Sequence, residues 1–279
     1  MLLAHIIHNI DPFFVRFGEW SSIGGIRWYG VCYALSFIIA LLMMNMYSDR
    51  DRSSLSKDQN ISFLSYGIVG VIVGGRLGYA LVYNLSESVH NPLSVLRIWE
   101  GGMASHGGFI GMAIAMWLFC KVHKVNIFEL GDICSSIAPL GLFLGRIANF
   151  VNGELYGKIS HVPWAIIFPQ SAPEMPMIDE IAPRHPSQLY EGFGEGFIMF
   201  IYVQLRFWIS KNLPKGQLTG EFLVGYSLAR IITEIYREID MSKIFGMSYG
   251  QFFSIFLLVA GLMLVYRARK QRRLTVIDS

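Results

Sequence analysis

Seven stretches of roughly twenty mostly apolar residues run through this chain, near 28–47, 61–83, 103–123, 133–152, 186–208, 219–237 and 248–267. A helix needs about 20 such residues to cross the hydrocarbon core of a bilayer. In that core only helices and closed barrels satisfy their own backbone hydrogen bonds. The pattern predicts an all-α polytopic membrane protein with about seven transmembrane helices. Composition agrees: 53% of residues are hydrophobic and 15% charged, against about 25% charged in soluble domains, and the mean hydropathy is +0.44. A net charge of +3 is too small to point to nucleic acid.

Lysine and arginine set the expected orientation. The connections after the first, third and fifth spans and the C-terminal tail hold Arg50, Arg52, Lys57, Lys121, Lys124, Arg206, Lys211, Lys215, Arg267, Arg269, Lys270, Arg272 and Arg273. The opposite side holds about half as many: Arg16, Arg27, Arg97, Lys158, Arg184 and Lys243. The tail is therefore expected in the cytoplasm and the N-terminus outside. The first 27 residues lack a basic start and contain Asp11, Pro12 and Arg16, which argues against a cleavable signal peptide. Residues 1–18 are too broken to span; an amphipathic piece in the interface is expected, a loose tail being the alternative. The Pro-containing connection 153–185 reads as a small head at the outer surface. The resulting division is an arm at 1–27, four spans within 28–152, the head at 153–185, three spans within 186–267 and a basic tail at 268–279.

Glycines recur four apart: Gly70, Gly74 and Gly78; Gly107 and Gly111; Gly141 and Gly145; Gly192 and Gly196. In lipid such spacing lets helix backbones approach. Cys32, Cys120 and Cys134 lie in apolar runs without metal-ligand spacing and read as core residues.

Ionisable groups inside spans cost roughly 2.5–3.5 kcal/mol each on insertion scales and persist where they face a cavity or a partner. Here they are Arg76, His106, Arg146, Glu191, Glu195, Glu221, Arg230, Glu234 and Arg237. Arg146 and Asn149 share a helix face. Tyr226, Arg230, Glu234 and Arg237 fall within a sector of roughly 80° at 100° per residue. An Arg230–Glu234 ion pair would explain the sixth span alone. Two arginines converging on one hollow point instead to an anion, because the planar guanidinium fork matches phosphate and keeps its charge. His106, followed by Gly107 and Gly108, is either a structural histidine at a helix start or a proton acceptor.

The stretch Gly145-Arg146 through Asn149-Phe150, Asn152, Glu154 and Gly157, with His106-Gly107-Gly108 and Gly111, resembles the bacterial prolipoprotein diacylglyceryl transferase family. Arg27-Trp28-Tyr29-Gly30, Gly74 through Tyr79, Trp99 through Met103 and Arg184 through Glu191 agree with it. The likeness covers nearly the whole chain; residues 158–183 match nothing specific. It implies an inner-membrane enzyme with a small periplasmic head, N-terminus periplasmic and C-terminus cytoplasmic. The reaction it implies moves the diacylglyceryl group of phosphatidylglycerol to the lipobox cysteine of a prolipoprotein signal peptide, with release of glycerol phosphate. Membrane lipids surround it, a monomer suffices, and no cofactor or metal is called for. The family's essential positions carry over to Tyr29, His106, Arg146, Asn149, Glu154, Gly157, Arg230 and Glu234.

The residues suit that chemistry. A thiol with an ordinary pKa near 8.5 must become thiolate, and the leaving phosphate needs cations. Arg146 and Arg230 are the phosphate candidates, and His106 the base, with Glu154 as rival or orienting partner. Asn149 and Tyr29 can hydrogen-bond the head group. Glu234 would orient Arg230, Tyr226 and Arg237 would help hold substrate, and Gly157 would serve as a backbone turn. The sequence has no HExxH, GxxxxGK[ST] or GxSxG motif. A secondary transporter for an anionic solute is the rival reading, but the spans show no paired halves. A purely structural membrane protein gives no reason for two phosphate-suited arginines.

Overall fold

The computed structural model describes residues 5–18, 24–97, 102–172, 177–210, 212–238 and 244–277. Nine α-helices are seen among them: α1 (Trp28–Asp49), α2 (Lys57–Val82), α3 (Leu85–His90), α4 (Ser105–His123), α5 (Ile127–Asn152), α6 (Ser187–Glu191), α7 (Met199–Ile209), α8 (Gln217–Thr233) and α9 (Tyr249–Ile277). A widened π-type stretch, Gly192–Ile198, joins α6 to α7. Four helices, α1, α2, α5 and α9, are long and apolar enough to cross a membrane. The others are shorter for visible reasons. α4 has 19 residues and opens with the polar pair Ser105 and His106. In α8 a 3-10 turn at Glu234–Tyr236 takes over from the α-helix, and the run 187–209 is divided by its π stretch.

The chain is not wholly helical. Two short β ladders form: β1 (Ile6–Ile7) lies parallel to β4 (Ile166–Ile167), and β2 (Phe13–Arg16) pairs antiparallel with β3 (Gly25–Arg27). Each is too short to leave a period-two signal in the sequence.

The chain divides into two compact units, residues 40–133 and residues 1–39 with 134–279. In the first, α2 starts at a reciprocal cap: Ser56 accepts from the Gln59 amide while Gln59 accepts from the Ser56 amide. Buried Asn60 donates to Asn45 and Ser48, both at 3.0 Å. α2 and α4 cross on their glycines, as their spacing predicts. A Cβ on Gly74 would strike the Gly107 carbonyl, and one on Gly111 would strike that of Gly70. Arg76 reaches out of the same helix to three backbone carbonyls, Ser94 (2.6 Å), Val95 (2.8 Å) and Gly102 (3.1 Å). It clamps the connection that leads into α4.

In the second unit α5 lies directly on the π stretch. A Cβ on Gly196 would meet the Phe143 backbone, at 2.7 Å from its Cα, and one on Gly192 would come 3.2 Å from the Arg146 Cβ. α8 and α9 cross on Gly220 and Gly261. Arg206 of α7 is tied to Glu221 of α8 at 2.7 Å. One glycine pair does not act as its spacing suggests: Gly141 only touches Ser36, and Gly145 faces open space.

Candidate active site

The segment that follows Arg146 is built to turn back on itself. α5 ends at Asn152, and Gly153 takes a left-handed conformation (φ +66°) that a side chain would resist. Asn149, on the last turn, donates to Glu154 at 2.8 Å, and Asn152 reaches the same carboxylate oxygen at 3.4 Å. Leu155 follows with φ +57°, an uncommon conformation for a residue with a Cβ. The turn is pinned by α6: Gln188 donates to the Glu154 carbonyl (2.7 Å) and Ser187 to that of Leu155 (3.0 Å). Gly157 then donates to the His185 carbonyl at 2.8 Å and bridges to Arg237. Its backbone φ is not left-handed, which corrects its reading as a turn residue. It is glycine because a Cβ would meet the Tyr236 carbonyl and His185.

One helical turn beyond Gln188 stands Glu191, wholly buried, and four residues further Glu195, also wholly buried. Arg146 places Nη2 2.6 Å from Glu191 Oε2 and 3.5 Å from Glu195 Oε2. Arg230 meets the same Glu191 oxygen at 2.5 Å and Glu195 Oε1 at 3.3 Å, and Glu234 holds its other Nη at 2.7 Å. Arg237 stands 3.6 Å from Glu191 Oε2. The Thr233 hydroxyl donates to Glu195 Oε1 at 3.1 Å. Three arginines and three glutamates thus form one balanced cluster. Its acids are sealed, while 18% of the Arg146 side chain and 21% of that of Arg237 stay accessible. Removing one member of such a buried set costs about 3–5 kcal/mol, because it leaves a charge uncompensated.

Beside the cluster is a cavity of about 200 Å³, lined by Gly153, Glu154, Leu155, Tyr156, Gln170, Arg237 and Glu238. That is smaller than a drug-sized site; its wall mixes the charged Glu154, Arg237 and Glu238 with slightly more apolar than polar surface, which suits a small group that is part polar. Its floor is braced by Arg184, whose guanidinium lies over the Tyr156 ring at 4.9 Å and bonds Glu238 at 2.7 Å. Burial holds the neighbouring His185 imidazole below its ordinary pKa, with Lys158 adding to the effect.

Within the unit 1–39 and 134–279 the structure therefore gathers Arg146, Arg230, Glu234 and Arg237, while Glu154 and Arg237 share the cavity wall. Tyr226 lies in the electrostatic reach of Arg146 and Arg230. Tyr29 packs on Tyr33, ring centroids 5.2 Å apart, and Tyr33 lies within electrostatic reach of Glu154. His106 is the second residue of α4, in the unit 40–133; its side chain lies outside the described residues.

Two site residues escaped the sequence reading. Glu191 and Glu195 stood out as costly carboxylates in a span but were given no place. With them, Arg146 and Arg230 are not bare cations facing a hollow: each already holds buried acids, and the structural ion pair Arg230–Glu234 exists as well. The available signal was arithmetic: Arg146, Arg230 and Arg237 call for three carboxylates, and Glu234 with Glu191 and Glu195 supplies them.

Comparison with known proteins agrees with these motifs. Residues 20–267 match the family described as prolipoprotein diacylglyceryl transferase. A phosphatidylglycerol–prolipoprotein diacylglyceryl transferase of Rickettsia canadensis is 40% identical over 93% of this chain and 97% of the relative. Proteins of the same description are 41% identical in Pseudoalteromonas translucida, over 94% of each chain, and 39% identical in Proteus mirabilis, over 96% of this chain and 95% of the relative.

Proposed function

This chain belongs to the prolipoprotein diacylglyceryl transferase family, and on that premise we propose how it transfers the diacylglyceryl group of phosphatidylglycerol to a prolipoprotein thiol. The observation that carries the proposal is the convergence of Arg146 and Arg230 on one carboxylate oxygen: two guanidinium groups so placed can grip two oxygens of one phosphate.

The thiolate sulfur of the lipobox cysteine attacks the glyceryl carbon that bears the phosphate. The C–S bond forms as the C–O bond breaks, and the oxygen leaves with the electron pair as glycerol phosphate. Arg146 and Arg230 offset the charge that develops there, and Glu234 keeps Arg230 in position. The thiol proton goes to His106, Glu154 being the rival acceptor. Asn149 fixes the Glu154 carboxylate, and Glu154 and Arg237 line the cavity that takes the departing glycerol end. Tyr29 and Tyr226 flank the head group, and Gly157 keeps Arg237 against the turn after α5.

Seven crossings, with the N-terminus and the 153–185 head in the periplasm, put this chemistry at the outer leaflet, where phosphatidylglycerol and the signal-peptide cysteine meet. One chain carries every residue named, so a monomer is sufficient. Purified protein mixed with phosphatidylglycerol and a lipobox peptide should yield thioether-lipidated peptide; none would sink the reading. His106→Gln should slow transfer strongly, and an unchanged pH–rate profile in that variant would remove His106 as the base.

A further inference from the structure

Glu191 uses its carboxylate in an unusual way. A structural acid among arginines ordinarily spreads its two oxygens over paired N–H donors. Here Oε2 draws Arg146, Arg230 and Arg237 together, and that threefold contact sets Glu191 apart; its Oε1 accepts no hydrogen bond among the described residues, as is also true of Glu195 Oε2 and Glu234 Oε2. We propose that Glu191 is the resident anion of the arginine cluster, seated where a phosphate oxygen of the lipid goes, so that substrate binding is an exchange of one anion for another. This rests on the transferase reading and names the group that its lipid must displace.

Charge makes the exchange necessary. Arg146, Arg230 and Arg237 balance Glu191, Glu195 and Glu234 one for one. A phosphodiester added to the intact cluster would be a fourth anion in a poorly solvated site, where like charges repel strongly. One carboxylate has to give way, and Glu191 is the one in contact with all three arginines. Glu195 contacts its arginines at longer range and is held by Thr233, and among the described residues Glu234 makes its ion pair with Arg230. The displaced group has a destination: Arg237, now at 3.6 Å, stands beside the cavity and can keep Glu191 paired while Arg146 and Arg230 turn to phosphate.

The test uses the full-length protein in detergent. Short-chain phosphatidylglycerol is the probe, and diacylglycerol of the same chain length is the control without phosphate. Glu191→Gln keeps the shape and removes the charge. It should bind the phospholipid about tenfold more tightly and the control unchanged. Its transfer kinetics should show KM and kcat falling together, because the phosphate product is also held longer. Glu195→Gln removes an equal charge from the same cluster and should tighten binding by less than threefold. Folded Glu191→Gln with parental or weaker affinity overturns the exchange, as does equal tightening in both variants, which would mean bulk charge alone. Should Glu191→Gln fail to fold, Glu191→Asp, which keeps the charge but withdraws it by one methylene, should tighten binding about threefold; no tightening overturns the proposal. A parent protein that transfers lipid while the variants bind no tighter refutes only the exchange. A parent that neither binds nor transfers refutes the transferase reading and the exchange with it.

Discussion

Arg76 and Arg146 are both arginines on glycine-rich helices, and each answers the cost of burial differently. Arg76 gives its N–H groups to the carbonyls of Ser94, Val95 and Gly102. Those partners are fixed dipoles of the backbone and cannot leave. Arg146 gives Nη2 to Glu191 and Glu195, which are side chains and can rotate away. A buried cation on carbonyls holds a loop; one on carboxylates can trade partners. Residue type and an apolar, glycine-rich helix were the same in the sequence, so only the chemistry of the partner separates clamp from site.

The comparison breaks most decisively at Arg146. Arg146→Ala should abolish transfer, by about a thousandfold or more, as expected for a group that steadies charge developing on a leaving oxygen. Arg146→Lys is the sharper variant. It keeps a positive charge for Glu191 and Glu195, so thermal unfolding should move little. It loses the planar fork, so turnover should still fall about a hundredfold. A lysine variant with near-parental turnover would reduce Arg146 to a counter-ion like any other.

At Arg76 the balance reverses. Arg76→Ala leaves three carbonyls without their donor, and each buried unsatisfied group costs about 1–3 kcal/mol. The expected result is a clear loss of thermal stability and faster proteolysis between residues 84 and 102, with the transfer rate per folded molecule reduced far less than in Arg146→Ala. Equal losses of rate in the two variants would erase the distinction between clamp and site.

Much of this was readable beforehand, though unevenly. The stretch 145–157 announced itself, because arginine and asparagine on an apolar helix, with a glutamate just past its end, have no cheap structural excuse. The α2–α4 crossing was legible too, since glycines four apart leave one face without side chains. The anion hub was not. Glu191 and Glu195 precede and interrupt a glycine-rich run whose π geometry depends on α5 lying against Gly192 and Gly196, a tertiary contact that no periodicity reports. The parallel β1–β4 pair joins residues some 160 positions apart and only two residues long, which is below what alternation can register. Gly157 was read as a backbone turn, whereas close approach of the Tyr236 carbonyl, and not left-handed backbone, excludes a side chain there.

Glycine itself supplies the smallest effect and the cleanest control. Gly111 and Gly145 both belong to glycine pairs spaced four apart on apolar helices, and spacing alone treats them alike. A Cβ at Gly111 would collide with the Gly70 carbonyl, whereas one at Gly145 meets nothing within 4 Å. Gly111→Ala must therefore push α4 off α2, and a cost of about 1–3 kcal/mol follows from forcing atoms into a filled contact. Gly145→Ala adds a methyl to open space inside a helix, where alanine is the better helix former by up to about 1 kcal/mol. It should leave stability unchanged or slightly raised and transfer intact, even though Gly145 adjoins Arg146 in the motif. Thermal unfolding of the two single variants in one detergent decides the matter. A destabilised Gly145→Ala would mean that an unseen surface, such as the lipid or the peptide substrate, comes against that face of α5.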